Sequence, residues 1–182
     1  MTYVRRVLSD VAMGRAAPDL VIRDVRLVNV LSREIHPADI VVASGRIAAV
    51  LPPGDNAGGA RRVIDGAGLY AAPGFIDPHV HLESSMVTVR QYASAVIPRG
   101  TTMIAADPHE IGNVLGAPGM RALFDDAAGA PLRVRLRVPG RIPAVPDWME
   151  TSNARLDVAD TRALFDWPEA LLLAGDINPN LV

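Results

Sequence analysis

The sequence predicts an α/β protein in which a small β-rich domain precedes a partial (β/α)8 TIM barrel of about four βα units. Residues 18–70 alternate apolar and polar side chains in short runs, a pattern typical of half-buried strands. Residues 71–182 instead alternate apolar strands with helical patterns, which indicates a parallel sheet covered by helices. Polar side chains end these strands, and barrel enzymes gather their sites at the carboxyl ends of strands. The second region is therefore predicted as a barrel.

The first seventy residues are expected to hold one helix and several short strands. Within residues 1–17, apolar side chains recur at positions i, i+3, i+4 and i+7, the spacing of a short amphipathic helix. Valine-rich alternating runs then indicate strands, and the central pair is predicted to form a hairpin through Ser44-Gly45. His36, beside Pro37, is expected in a loop. The expected strands are Leu20–Val30, Asp39–Ala43, Arg46–Leu51 and Arg62–Asp65.

Residues 71–182 are expected to alternate buried strands with helices. Thr88 is a predicted N-cap and Pro118 is expected in the first turn of a helix. Four strands fit either half of a barrel or an open doubly wound sheet. A complete barrel takes about 250 residues, so these residues are expected to form the first half of one. The expected strands are Phe75–Leu82, Thr101–Ala106, Leu132–Val138 and Ala170–Ala174, and the expected helices Thr88–Ile97, Pro118–Ala128 and Val158–Phe165.

Two histidines lie at the end of the first of these strands. His79 and His81 are spaced i, i+2, and alternate side chains of a strand point to the same face. Their imidazoles can therefore meet at one point, as a first-row metal ion requires, and Asp77 shares that face. The alternative is a pair of surface histidines at a strand end. Polar residues at the ends of the neighbouring strands favour the metal site.

Composition excludes several classes of site. The chain has no cysteine, which excludes disulfides, thiolate metal sites and a cysteine nucleophile. All 18 cationic residues are arginine, so no lysine can form a Schiff base or a carbamylated metal bridge. The formal net charge of −2 gives no electrostatic footprint for nucleic acid or for an anionic membrane. No run resembles a signal peptide or a membrane span, and the expected location is the cytoplasm.

Two segments carry a family resemblance. PGFIDPHVHLESSM at 73–86 and GTTMIAADPHEIGNVLG at 100–116 resemble the adenine deaminase family of the amidohydrolase superfamily. The first segment is shared across that superfamily, whereas its HLESSM end and the DPHEIGNV run are more specific to the deaminases. The resemblance covers nearly all of the chain but only about the first third of a complete enzyme. It implies that residues 18–70 belong to a partial β-sandwich and residues 71–182 to a metal-dependent barrel.

The resemblance implies a binuclear Mn²⁺ or Fe²⁺ centre. His79 and His81 match the metal pair of the first barrel strand. The family uses a glutamate of the fourth strand where other amidohydrolases use a carbamylated lysine, and the absence of lysine agrees with this. The fourth-strand position in this sequence is Asp176, whose side chain is one methylene shorter. Asp176 is therefore expected as a metal ligand, and the alternative is a turn or helix-capping residue before Pro179.

Other polar residues beside the histidines are expected to orient substrate or to hold the ligand histidines through hydrogen bonds. For the serines the alternative is loop capping, and for Asp107-Pro108 it is a proline-linked turn. The candidate substrate-binding residues are Glu83, Ser84, Ser85, His109 and Glu110.

The activity implied by the resemblance is hydrolytic deamination of adenine to hypoxanthine and ammonia. A metal-activated water attacks C6, and a carboxylate carries the proton to the leaving ammonia. The general acid/base is expected beyond residue 182, so this polypeptide alone is expected to be inactive. A half-barrel also leaves open sheet edges and an apolar face, which invites association into a homo-oligomer.

Two alternatives stay open at the level of sequence. One is a different amidohydrolase acting on a cyclic amide or an N-acetyl group, against which the DPHE segment and the missing lysine count. The other is a truncated, non-catalytic remnant, which only the length supports. A nucleotide-binding Rossmann domain is disfavoured because no GxGxxG follows a strand.

Overall fold

A computed structural model describes residues 3–55, 59–146 and 148–175 of the chain. The chain divides into two compact units, Met1–Pro73 and Gly74–Val182. Within the described residues, no helix combines the length and the apolar character that crossing a bilayer would require.

The first unit consists of one helix and one five-stranded sheet. The strands run in the order β3-β2-β1-β4, and β5 also pairs with β1. Strands β1, β2 and β3 are antiparallel neighbours, whereas β4 and β5 run parallel to β1. The partial β-sandwich of the resemblance stays a prediction. The elements are α1 (Tyr3–Ala12), β1 (Leu20–Asn29), β2 (Glu34–Ala43), β3 (Arg46–Leu51), β4 (Arg62–Asp65) and β5 (Tyr70–Ala71).

The placement of His36 in a loop is wrong. Strand β2 begins at Glu34, so His36 lies within it and pairs with Leu27 of β1. A turn between β1 and β2 explains the longer strand, because the Asn29 side chain accepts backbone hydrogen bonds within that turn. Pro37 is tolerated because β3 pairs with β2 only from Asp39 onward, which leaves an open edge beside the proline.

The second unit is a four-stranded parallel sheet with helices packed on one face. Its strands pair in chain order, β6-β7-β8-β9. This order is that of a barrel, whereas a doubly wound sheet reverses its order at a switch point. The strands are β6 (Phe75–Val80), β7 (Thr101–Ala106), β8 (Arg133–Val138) and β9 (Ala170–Leu173), and the helices are α2 (Val89–Val96), α3 (His109–Asp126) and α4 (Val158–Leu164), with 3₁₀ turns at Leu82–Ser85 and Ile97–Arg99.

The core of this unit lies between the sheet and its helices. Strand β8 shows the pattern most clearly, since Val134, Leu136 and Val138 are buried while the intervening residues are arginines. Helix α2 begins at the predicted N-cap: Thr88 accepts the Gln91 amide, and the Gln91 side chain accepts the Thr88 amide. Other side chains of the buried cluster are Leu82, Val89, Ala93, Ile104, Met120, Phe124 and Leu164.

The third helix begins nine residues earlier than Pro118, where the sequence pattern places its start. Helix α3 starts at His109 and is interrupted at Gly116, whose φ of 65° and ψ of −154° are not helical. Pro118 therefore lies in the first turn after this break, where a missing N–H costs little. In the DPHE segment, Asp107 and Pro108 consequently link the end of β7 to α3, and His109 and Glu110 are the first two residues of that helix.

Candidate metal centre

The two histidines and Asp107 meet at the carboxyl ends of β6 and β7. The strands are paired so that Val80 lies opposite Ala106, and the Asp107 amide donates to the Val80 carbonyl at 2.9 Å. His79 is the second-to-last residue of β6, and His81 is the first residue after the strand. The register thus brings a carboxylate beside the two imidazoles.

The distances within this cluster fit a metal ion. The Nε2 atoms of His79 and His81 are 3.1 Å apart. Two imidazoles bound to one ion at about 2.0–2.1 Å place their nitrogens roughly 3 Å apart. The Asp107 Oδ2 atom lies 3.7 Å from His79 Nε2, and one ligand atom from each of the three residues lies within 4.8 Å of the others.

Glu110 fixes the orientation of His81. Its Oε2 lies 2.9 Å from His81 Nδ1, and its Oε1 accepts a hydrogen bond from the Ser84 hydroxyl at 3.3 Å. When Nδ1 carries the proton donated to this carboxylate, the lone pair of His81 Nε2 points toward His79. This arrangement is common for histidine ligands of metals, and it sets both the tautomer and the ring plane.

Asp107 is the most unusual charged residue of the site. It is 4% exposed, and within the described part of the chain its Oδ1 has no hydrogen-bond partner. Arg137 Nε and His109 Nδ1 lie 3.7 and 3.8 Å from its oxygens. Its Oδ2, the oxygen nearest His79 Nε2, can join the two imidazoles on one ion, and a nearby cation offsets the cost of burying a carboxylate, so the donor set fits a divalent ion.

His109 and Glu83 flank this cluster and have perturbed acidities. The Asp107 carboxylate raises the pKa of His109, against the opposing effect of burial. Burial raises the pKa of Glu83, whose Oε1 accepts the Ile111 amide at 3.1 Å and whose Oε2 has no partner among the described residues. Glu83 thus contacts the first turn of α3.

Arg137 connects the ends of two strands. Its Nη1 donates to the Pro78 carbonyl of β6 at 2.9 Å, while its Nε approaches Asp107 at the end of β7. The alternating arginines of β8 predict a strand, but they carry no signal that one of them reaches this far.

The structure brings some of the predicted site residues together and leaves others apart. His79, His81, Ser84 and Glu110 form one connected set, and His109 lines the same cleft. The Glu83 carboxylate accepts the Ile111 amide in the first turn of α3. The Ser85 hydroxyl donates to the Leu82 carbonyl at 2.6 Å within its own 3₁₀ turn. Asp77 accepts the His79 amide and is not part of the three-residue cluster. Asp176 lies outside the described residues.

A cleft of about 390 Å³ opens beside the histidines. No sequence signal pointed to three of its polar residues: Asn113, Arg137 and Glu150. Asp107, which directly follows an apolar strand next to the histidine strand, was expected to orient substrate or to hold the ligand histidines rather than to bind metal. The lining residues are His79, His81, Asp107, His109, Glu110, Asn113, Arg137, Ala144, Glu150 and Gly175.

Comparison with known proteins defines the class. The amidohydrolase family model matches residues 70–168, which is more than half of the chain. The chain therefore belongs to the amidohydrolase family.

Within this family the chain is similar in sequence to adenine deaminases. It is 47% identical over 175 residues to the adenine deaminase of Chelativorans sp. (strain BNC1), an alignment that covers 95% of this chain and 29% of that protein. The chain thus spans less than a third of the length of this curated relative. The resemblance predicted from the two sequence segments is confirmed.

Solved structures agree with the partial barrel. The crystal structure of an adenine deaminase matches 68% of this chain and 31% of its own at a TM-score of 0.51 and 26% identity. Atrazine chlorohydrolase TrzN of Arthrobacter aurescens TC1, solved with zinc, matches 86% of this chain and 46% of its own at a TM-score of 0.61 and 20% identity. The second likeness shows the fold alone. The predicted fold class is confirmed.

Proposed function

We propose that this chain provides the first metal-binding part of an adenine deaminase, which hydrolyses adenine to hypoxanthine and ammonia. The observation that carries the proposal is the meeting of His79, His81 and Asp107 at the carboxyl end of a parallel sheet. The 47% identity to a named adenine deaminase supports the choice of adenine over other amidohydrolase substrates.

The metal ligands on this chain are proposed to be His79, His81 and Asp107, with Asp176 as a further ligand from the end of the fourth strand. Imidazole and carboxylate donors without any thiolate suit Mn²⁺ and Fe²⁺, and we propose a binuclear centre of one of these metals. A bound divalent ion would supply the Lewis acidity that lowers the pKa of water toward neutrality.

The residues around the ligands are proposed to hold them in place. Glu110 keeps the proton of His81 on Nδ1, and Ser84 orients Glu110 through its hydroxyl. Arg137 keeps the Asp107 carboxylate beside the histidines, because its guanidinium is also fixed by the Pro78 carbonyl. Each of these contacts limits the motion of a ligand side chain before any ion binds.

His109 is the residue proposed to contact the purine. It lines the cleft, and its Nδ1 lies 3.8 Å from Asp107 Oδ1, so its ring stands at the edge of the space where a purine would bind. Glu83 and Ser85 have contacts within the protein, so we propose that they shape the loop beside the substrate rather than bind it.

A chimera tests the proposal. This chain would replace the aligned segment of the Chelativorans adenine deaminase. Turnover would be measured as ammonia release from adenine, as ring opening of a cyclic amide and as acetate release from an N-acetyl amino acid. We expect turnover of adenine that is lost in the His79→Ala/His81→Ala chimera. A well-folded chimera that is inactive on adenine, or that prefers another substrate, would contradict the proposed function.

A further inference from the structure

The connection between β8 and α4 forms one wall of the cleft. We define the cleft segment as residues 139–146 and 148–157, which contain no helix or named strand. Connections of this length inside a compact unit are commonly functional. Ala144 and Glu150 of this segment line the cleft together with the histidine pair.

Asn113 of α3 anchors the far end of the cleft segment through its backbone. Its carbonyl accepts the amides of Asn153 and Ala154 at 2.9 and 3.0 Å. The Ser152 hydroxyl lies 3.0 Å from Asn113 Oδ1 and 2.6 Å from Ala154 O. Asn113 lies one turn after His109, so the helix that carries His109 into the cleft also carries the anchor.

Glu150 closes the near end of the segment. One of its carboxylate oxygens accepts the Asn113 side-chain amide, and Oε2 accepts the Ala144 amide at 3.1 Å. Both oxygens therefore have partners, and the carboxylate bridges the helix to the wall residue Ala144. We call the hydrogen-bonded pair of the Asn113 side chain and Glu150 the latch.

The segment also packs directly on the helix. A Cβ atom added at Gly112 would lie 2.2 Å from Ile142 Cδ1 and 2.4 Å from Met120 Cε, so the glycine lets the ends of these two side chains pack against the helix as they do. Ile142 is held in turn by its backbone pairing with Leu156. These contacts fix the base of the segment independently of the latch.

We infer that Asn113 and Glu150 are positioning residues that hold Ala144 in the wall of the cleft and thereby set how substrate fits. The substrate part of this inference rests on the proposed function. The latch itself does not, because it is a property of the chain with or without a ligand.

Hydrogen exchange of single amides tests the latch in the full 182-residue chain. Asn113→Asp places a carboxylate against the Glu150 carboxylate. Glu150→Gln places a side-chain amide donor against the amide donor of Asn113. Each variant is expected to speed exchange at Ala144 about tenfold, the scale of one or two lost hydrogen bonds. The amides of Asn153 and Ala154 are expected to keep their protection, since they bond to the Asn113 backbone.

The double variant Asn113→Asp/Glu150→Gln provides the rescue. It restores a donor–acceptor pair with reversed direction, and the glutamine carbonyl can still accept the Ala144 amide. Protection at Ala144 is expected to return to within about twofold of the parent, while Mn²⁺ affinity stays unchanged in all variants. Asn29→Ala, which alters only a turn in the first unit, is the matched control.

Two results would overturn the latch: unchanged exchange at Ala144 in both single variants, or no recovery in the double variant. In the chimera, the single variants are expected to raise KM for adenine several-fold with little change in kcat, and the double variant to reverse this. A latch confirmed by exchange with an unchanged KM would overturn its role in substrate fit. An inactive parent chimera would instead count against the proposed function, leaving the exchange result to decide the latch.

Discussion

Two buried aspartates, one in each unit, have opposite surroundings. Asp39 is 2% exposed, and its two oxygens accept the backbone amides of Asp24 and Gly54 at 2.8 and 3.1 Å. Asp107 is 4% exposed, and among the described residues its Oδ1 accepts no hydrogen bond. Instead, one arginine and two histidines approach its oxygens at 3.7–3.8 Å.

The contrast separates a structural carboxylate from one that we propose to be a metal ligand. Backbone donors satisfy Asp39 completely, so this residue stabilises the loop and strand that it joins. Asp107 instead faces arginine and histidine side chains at longer distances, and its Oδ2 lies 3.7 Å from His79 Nε2, where it can join the histidines as a metal ligand. Burial alone therefore does not distinguish the two roles; the identity of the donors does.

The largest expected effect tests the imidazole side of this contrast. His79→Ala/His81→Ala removes two of the four proposed ligands, so specific Mn²⁺ binding by the purified chain is expected to disappear. His36→Ala, which alters a histidine of β2, is the matched control and is expected to bind metal as the parent does. Equal metal content in the double variant and the parent would place the metal elsewhere.

Exchanging the two aspartates for asparagine tests the contrast itself. Asp107→Asn is expected to weaken Mn²⁺ binding by more than the 10–100-fold typical of residues that only support a ligand. Asp39→Asn presents an amide donor to a backbone N–H, which is expected to cost about 1–3 kcal/mol of stability without changing metal affinity. Isothermal titration and urea unfolding measure the two effects.

If both variants lost stability equally and neither lost metal affinity, Asp107 would be a structural residue like Asp39. If both lost metal affinity, the change would reflect unfolding and not ligation.

A smaller effect on Mn²⁺ affinity is expected from a substitution of Glu110, and it tests whether Glu110 orients the His81 ring. Glu110→Gln retains the shape of the side chain but weakens the acceptor at His81 Nδ1, so Mn²⁺ affinity is expected to fall about 10–100-fold. Glu34→Gln, an exposed glutamate of β2, is the control. An unchanged affinity would mean that His81 does not need this hydrogen bond to orient its ring.

The smallest effect concerns a partly exposed ion pair within the second unit. Arg121 makes a two-pronged contact with Glu169 and lies over the Trp167 ring at 4.6 Å. Arg121→Met is expected to lower stability by about 1–2 kcal/mol and to leave metal affinity unchanged. A cost larger than that of Asp39→Asn would show that burial and backbone donors give Asp39 no special weight.

The same pair has a pH signature. Arg121 lowers the pKa of Glu169 in the folded state, so the contribution of the pair is present above the unfolded pKa and is lost as pH falls through the folded value. The difference in unfolding free energy between parent and Arg121→Met is therefore expected to be full at neutral pH and to shrink below about pH 4. A difference that stays constant to lower pH would assign the effect to the ring contact alone.

The sequence predicts the parts of the site that depend on local pattern. The spacing of His79 and His81 depends only on strand geometry, and the polar residues after the second strand follow from where an apolar run stops. Asp107 becomes a ligand candidate only through the pairing of Val80 with Ala106, which no local pattern specifies.

Longer-range contacts explain what the sequence could not predict. Asn113 and Glu150 are 37 residues apart and meet only because the cleft segment packs on α3. The early start of α3 was missed for another reason: Gly116 and Pro118 indicate a helix boundary, and the structure has a break there with helix on both sides.

X-ray absorption of the Mn²⁺-loaded chain tests the central claim most directly, because it identifies the ligands rather than the affinity. The account predicts scattering from two imidazoles and from carboxylate oxygen, one imidazole fewer in His81→Ala, and both imidazoles retained in Asp107→Asn. A first shell of oxygen alone, or a spectrum that none of these substitutions changes, would contradict a metal centre at His79, His81 and Asp107.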